Sequence, residues 1–155
     1  MATARNELLA ECACFDLRKA ARAVSRMYDD FLRDAGVNIT QFAQLRLIRT
    51  EKEISVSTLG RYMVMDRTSI TRALAPLERD GLINSRPGAD KRIRIVSLTK
   101  KGFKLVEDAE PKWRRAQEAL MEAIGADRWS AMRSVLRDTT RMVRHPTVDA
   151  PAGTP

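Results

Sequence analysis

The sequence predicts a mostly helical chain with one small β-hairpin, and three observations carry that expectation. Residues 57–81 hold two short helical patterns separated by a break at Met65 and Asp66. Two strand-like runs follow, around Ile83 and over residues 93–98, joined by a basic loop that contains Pro87 and Gly88. Long amphipathic stretches flank this block at both ends of the chain. Two helices at a tight turn followed by a hairpin make a winged helix-turn-helix. The expected organisation is therefore a winged helix-turn-helix over residues 37–99, a helical dimerisation region over residues 1–36 and 100–145, and a flexible tail over residues 146–155.

Composition narrows the function classes. A chain of 155 residues suffices for a core without metals or disulfides. The net charge is +8, and it is concentrated: from Ser85 to Lys104 seven cations stand against the single anion Asp90. Clustered positive charge in one module points to nucleic acid. There is no apolar run long enough to span a bilayer and no signal-peptide pattern, so no membrane role, a cytoplasmic location and reduced cysteines are expected. An enzyme is not expected. The chain has one histidine, His145, at the edge of the tail, and no Gly-rich phosphate loop, Ser-His or Cys-His arrangement, or paired acid cluster. No cofactor is expected. Cys12 and Cys14 form a poor zinc site without further ligands, so no metal is expected either.

The elements follow in order. Residues 5–34 read as one long helix whose apolar stripe runs through Leu8, Cys12 and Phe15, then Leu17, Ala21, Val24, Tyr28 and Phe31. A stripe this long needs a covering surface, supplied by the C-terminal helices, a second copy of the chain, or both. Gly36 stops the helix. Thr40 is the expected N-cap of the next, with Phe42, Leu45, Leu47 and Ile48 on its apolar side. A polar stretch over residues 50–55 leads to a helix capped by Ser55 or Ser57. Its Gly60 marks either a close approach or simple tolerance.

The second motif helix spans about residues 67–80, with Asp66 as N-cap and Ile70, Leu74 and Leu77 as core. That stripe leaves Arg67, Thr68, Ser69, Thr71 and Arg72 largely on other faces. Arginine bonds guanine bidentately, and short hydroxyls reach bases or phosphates. In the wing, strand, loop and strand are expected near 83–86, 87–91 and 92–98, with Ile93 and Ile95 alternating with Arg92 and Arg94. Asp90 is placed to pair with Arg92 and fix the loop. Ser57, Arg86, Lys91, Arg92 and Arg94 complete the candidate DNA-binding set. Thr99 looks like the N-cap of a helix over residues 100–124, and a last helix spans about residues 127–143 with Trp129, Met132, Leu136, Thr139 and Val143 on one face.

The block Asp66-Arg67-Thr68-Ser69-Ile70-Thr71-Arg72, then Leu77-Glu78-Arg79-Asp80-Gly81-Leu82-Ile83, then Asp90-Lys91-Arg92 ahead of Val96-Ser97-Leu98-Thr99 and Gly102, resembles the MarR family of bacterial transcription regulators. The order of elements matches over roughly residues 5–143. The resemblance implies a homodimer built from the first helix and the last two. It also implies a recognition helix in the major groove and a wing arginine, here Arg92, in the minor groove. The operator would be palindromic and the protein usually a repressor, released by a ligand or an oxidant.

Two triggers fit the residues. Cys12 and Cys14, two positions apart on a helix, would diverge by about 200°. A bridge between them would then require unwinding. Such cysteines are most often small buried hydrophobes; the functional alternative is oxidant sensing, which some members of the resembled family perform through an N-terminal cysteine. The second trigger is a small-molecule effector. The resemblance places it in a cleft drawing on Phe15, Arg18, Arg22, Phe42 and Trp113, where Arg18 or Arg22 would hold a carboxylate. The expected partners are double-stranded DNA, a second copy of the chain and such an effector. A non-specific architectural DNA-binding protein is the alternative function. It shares the basic charge and differs in not discriminating a palindrome.

Overall fold

A computed structural model describes residues 12–144. The expected helix start near residue 5, Leu8 on its stripe, His145 and the tail lie outside the described residues. The chain divides into two units, Met1–Ala116 and Gln117–Pro155. In the first unit, α1 spans Ala13–Leu32 and ends in a 3-10 turn at Arg33–Ala35. Gly36, at φ 72°, breaks the path as expected. Cys12 departs from the expected helix. It stands before α1 with an extended backbone, φ −89° and ψ 100°, and it is exposed rather than buried on an apolar stripe.

α2 spans Ile39–Glu51, and its cap corrects the expectation of Thr40. Asn38 is the N-cap: its side chain accepts from the Gln41 N–H, and the Gln41 side chain accepts from the Asn38 N–H in return. Asp29 of α1 accepts from the Ile39 N–H at 2.6 Å, which ties the two helices at this corner. Phe42, Leu45 and Ile48 face the core, as the spacing requires. Gln44 is also fully buried, with neither side-chain polar atom hydrogen-bonded.

The polar stretch after α2 holds a strand that the pattern did not reveal. β1 (Glu53–Ser55) pairs antiparallel with β3 (Arg94–Leu98), which pairs in turn with β2 (Ile83–Pro87). Ile54 lies opposite Val96, and Ser85 opposite Val96 on the other side. Ile54 and Val96 are buried. Ile93 sits outside β3 and is exposed, so the buried residue of this strand is Val96 and not the expected Ile93.

α3 (Val56–Met63) and α4 (Arg67–Arg79) form the helix-turn-helix. Leu59, Ile70, Leu74 and Leu77 join Leu45, Ile48 and Val96 in one core, so burial holds the two helices at a fixed angle over the sheet. Gly60 is a close approach: a β-carbon there would lie 3.0 Å from the Met65 carbonyl oxygen and 3.3 Å from Ile70.

α5 spans Lys100–Ile124 and crosses the boundary between the units. Its start is stitched to the end of α4. Thr99 accepts from the Gly102 N–H at 3.0 Å and donates to the Gly81 carbonyl at 2.7 Å. A β-carbon on Gly102 would lie 2.0 Å from the Leu82 oxygen, so the helix backbone passes directly over the chain that leaves α4. Val106 and Ala109 bury this end of α5. In the second unit α6 spans Ala126–Arg144, and Met132, Val135, Leu136, Met142 and Val143 of its apolar side are exposed.

Candidate nucleic-acid interface

α3 opens at Ser55, whose hydroxyl accepts from the Thr58 N–H at 3.1 Å. Ser55 is therefore the cap. Ser57 is exposed, with its hydroxyl 3.0 Å from that of Ser55. Directly after Met63, the turn Val64, Met65, Asp66 hands the chain to α4.

Asp66 caps α4 as expected. Its carboxylate accepts from the Ser69 N–H at 2.8 Å and from the Ser69 hydroxyl at 2.7 Å. The backbone bond from Ser69, followed by the hydroxyl bond, holds the Asp66 carboxyl below the usual carboxylate range. Capping engages the Ser69 donor. Thr71 likewise donates to the Arg67 carbonyl of its own helix at 2.7 Å. Both hydroxyls retain acceptor capacity. Arg67, Thr68 and Arg72 are exposed. No ion pair holds either arginine among the described residues.

The wing arginines separate into two kinds. Arg86 is paired with Glu53 at 2.7 Å, which links the two outer strands β2 and β1 across the central β3. Arg94 is paired with Glu78, near the end of α4, and Glu78 also accepts from the Ser85 hydroxyl. The Ser85 bond first, then Arg94, keeps Glu78 below its ordinary value. Glu78 thus ties α4 to both strands of the hairpin. Arg92 and Lys91 make no ion pair among the described residues. The expected Asp90–Arg92 side-chain pair is replaced by a turn: Asp90 accepts from the Arg92 backbone N–H at 2.9 Å. That bond fixes the loop and leaves the Arg92 guanidinium in solvent.

These groups converge. Ser57, Arg67, Thr71, Arg92 and Arg94 all border one open hollow of about 580 Å³, with Gly60, Met65 and Ile70 among its floor. Five of the ten candidate residues, drawn from three separate segments, therefore border a single space, while Thr68, Ser69, Arg72, Arg86 and Lys91 do not line it. Glu78 and Glu53 were missed as organisers of that surface. Each lies far in sequence from the arginine it holds.

The residues expected to hold an effector are not all brought together. Phe42 and Trp113 stack at 6.2 Å, and the Arg46 guanidinium lies over the Trp113 ring at 4.1 Å. These three border a hollow of about 270 Å³ together with Ala43, Leu47 and Thr50. Phe15, Arg18 and Arg22 are exposed on α1 and do not line it. Cys12 and Cys14 are free and exposed. Among the described residues no His, Cys, Asp and Glu group could hold a metal ion, and no helix is long and apolar enough to cross a membrane.

Comparison with known proteins places this geometry. A family model described as the MarR family matches residues 37–93. The crystal structure of the M. tuberculosis transcriptional regulator MosR in complex with DNA superposes with a TM-score of 0.81 at 33% identity, covering 89% of this chain and all of that one. An uncharacterised HTH-type transcriptional regulator of Bacillus subtilis, YwoH, is 27% identical over 105 residues, 68% of this chain and 77% of that protein. The organic hydroperoxide resistance transcriptional regulator of Bacillus subtilis is 29% identical over 97 residues, 62% of this chain and 66% of its own length.

Proposed function

The chain belongs to the MarR family of transcriptional regulators, and from that premise we propose that it acts as a homodimeric repressor on a palindromic operator. The observation that carries this reading is the single hollow bordered by Arg67 and Thr71 of α4 and by Arg92 of the wing. α4 would enter the major groove, with Arg67, Thr68, Ser69, Thr71 and Arg72 toward bases and phosphates. Arg92, which makes no ion pair among the described residues, would enter the adjacent minor groove. Ser57 and Lys91 would contact phosphates. Arg86 and Arg94 would act chiefly by setting the wing against α4. The solved complex of the similar MosR chain with DNA supports the same partner.

Dimerisation rests on exposed apolar side chains. Phe15 and Leu17 on α1, and Met132, Val135 and Leu136 on α6, are more than a third exposed in the single chain. Apolar faces of this kind are covered by a second copy. Release would come from an oxidant or a small ligand. The oxidant route is supported by the two exposed cysteines, one of them outside the helix, and by the hydroperoxide-resistance regulator among the relatives. The ligand route is supported by the Phe42, Arg46 and Trp113 hollow.

Footprinting of the full chain on its own genomic DNA tests the reading. The expected result is protected inverted repeats with half-sites about one helical turn apart. Protection without sequence preference would instead support the architectural alternative. Peroxide treatment then tests release: Cys12→Ser should remain bound where the unaltered chain dissociates. Release that persists in that variant excludes Cys12 as the sensor.

A further inference from the structure

The turn between α3 and α4 breaks a local rule. Val64 ends α3 in the left-handed region, φ 54° and ψ 41°, with its N–H directed at the Arg61 carbonyl and the Met65 N–H at the Gly60 carbonyl. Glycine or asparagine fills such a position without penalty, whereas a β-branched side chain is a genuine outlier there. Burial does not offset the strain: Val64 is 57% exposed. Met65 beside it packs against the core, so the turn is anchored by its neighbour and not by Val64. An apolar side chain held out at a strained position serves a contact outside the chain.

Its place in the fold says which contact. Val64 stands two residues before Asp66, the cap of α4, and Ser57, Arg61 and Val64 fall at the i, i+4, i+7 spacing of one exposed face. Ser57, at the start of that line, and Arg67, the first residue of α4, border the hollow shared with Arg92, and Val64 stands between them in the chain outside its lining. The flanking cations Arg61 and Arg67 suit a phosphate-bearing partner better than a protein surface. On the major-groove edge of duplex DNA, the apolar group offered is the thymine C5-methyl.

We infer that Val64 is a sequence-reading residue that packs against a thymine methyl at the edge of the α4 footprint. This rests on α4 being the recognition helix. The test starts from an operator selected by the full chain from randomised duplexes. Each thymine is then replaced singly by deoxyuridine, which removes the methyl alone. The unaltered chain should lose about fourfold in affinity at one position per half-site, the worth of one buried methyl group. Val64→Asn, which tolerates the left-handed turn, should show no loss at that position. Its melting midpoint should be no lower than that of the unaltered chain, and Val64→Gly should behave alike.

An unchanged deoxyuridine profile in Val64→Asn overturns the inference, even if affinity falls uniformly. So do lower midpoints in both variants, because the strain would then be absent. A pool that yields no enriched sequence overturns the reading of α4 itself, and this inference with it.

Discussion

Arg92 and Arg94 stand two positions apart in the wing, yet their environments assign them different work. Arg94 is held by Glu78, and Arg92, with no ion pair among the described residues, follows a turn that uses Asp90 against its backbone. Arg92→Ala should therefore weaken operator binding at least tenfold and flatten the dependence of log affinity on log salt by about 0.9, the signature of one cation withdrawn from the counterion-displacing surface in the minor groove. Glu78→Gln should weaken binding with the salt slope unchanged, since it misplaces the wing without removing a contact. Anisotropy titrations at several salt concentrations separate the two. Acid acts through the same carboxylates. Asp66 and Glu78 both titrate below their ordinary values when folded. Their contribution is present above the ordinary carboxylate range and is lost as pH falls through the lowered values. The melting midpoint should drop on acidification across that window, and less so in Glu78→Gln. Sequence alone did not separate the two arginines, because Glu78 lies 16 positions from its partner and only the packed hairpin unites them.

At the scale of elements, helices were legible and one strand was not. Ile70, Leu74 and Leu77 announce the core side of α4 through their spacing alone, and all three are buried. β1 has three residues, one of them apolar, and acquires strand geometry only by pairing with β3. The start of α2 was misplaced for a related reason. Asn38 and Thr40 are both competent caps, and the reciprocal bond from Gln41 decides for Asn38. Gly60 and Gly102 were visible as glycines, but their purpose became visible only with the chains they touch. Gly102→Ala would drive a methyl group into the Leu82 backbone, which cannot yield. It should cost about 3 kcal/mol or more, read as a lower urea midpoint. Gly60→Ala, with a contact of 3.0 Å, should cost less, about 1 kcal/mol.

At the scale of the whole molecule, the reading head and its pairing are separate claims. Amphipathic periodicity identified the long helices, but one chain does not reveal what covers their exposed sides. Leu136→Glu on α6 should convert a dimer to a monomer in sedimentation, with helical content retained; an unchanged dimer would remove that face from the interface. The residues expected to hold an effector come together only in part: Phe42 and Trp113 meet, while Arg46, which supplies the charge beside them, was not singled out. Cys12 was misread because a helix was extended through it, although its backbone is extended. Sequence-specific recognition by the head shows most directly in its specificity ratio. That ratio is measured by titrating the full chain and Arg72→Ala against the selected operator and a scrambled duplex at one salt concentration. Binding to the operator should be at least a thousandfold tighter than to the scrambled duplex, and Arg72→Ala should lower that ratio at least tenfold. Equal affinity for the two duplexes, or an unchanged ratio in the variant, would contradict sequence reading by α4.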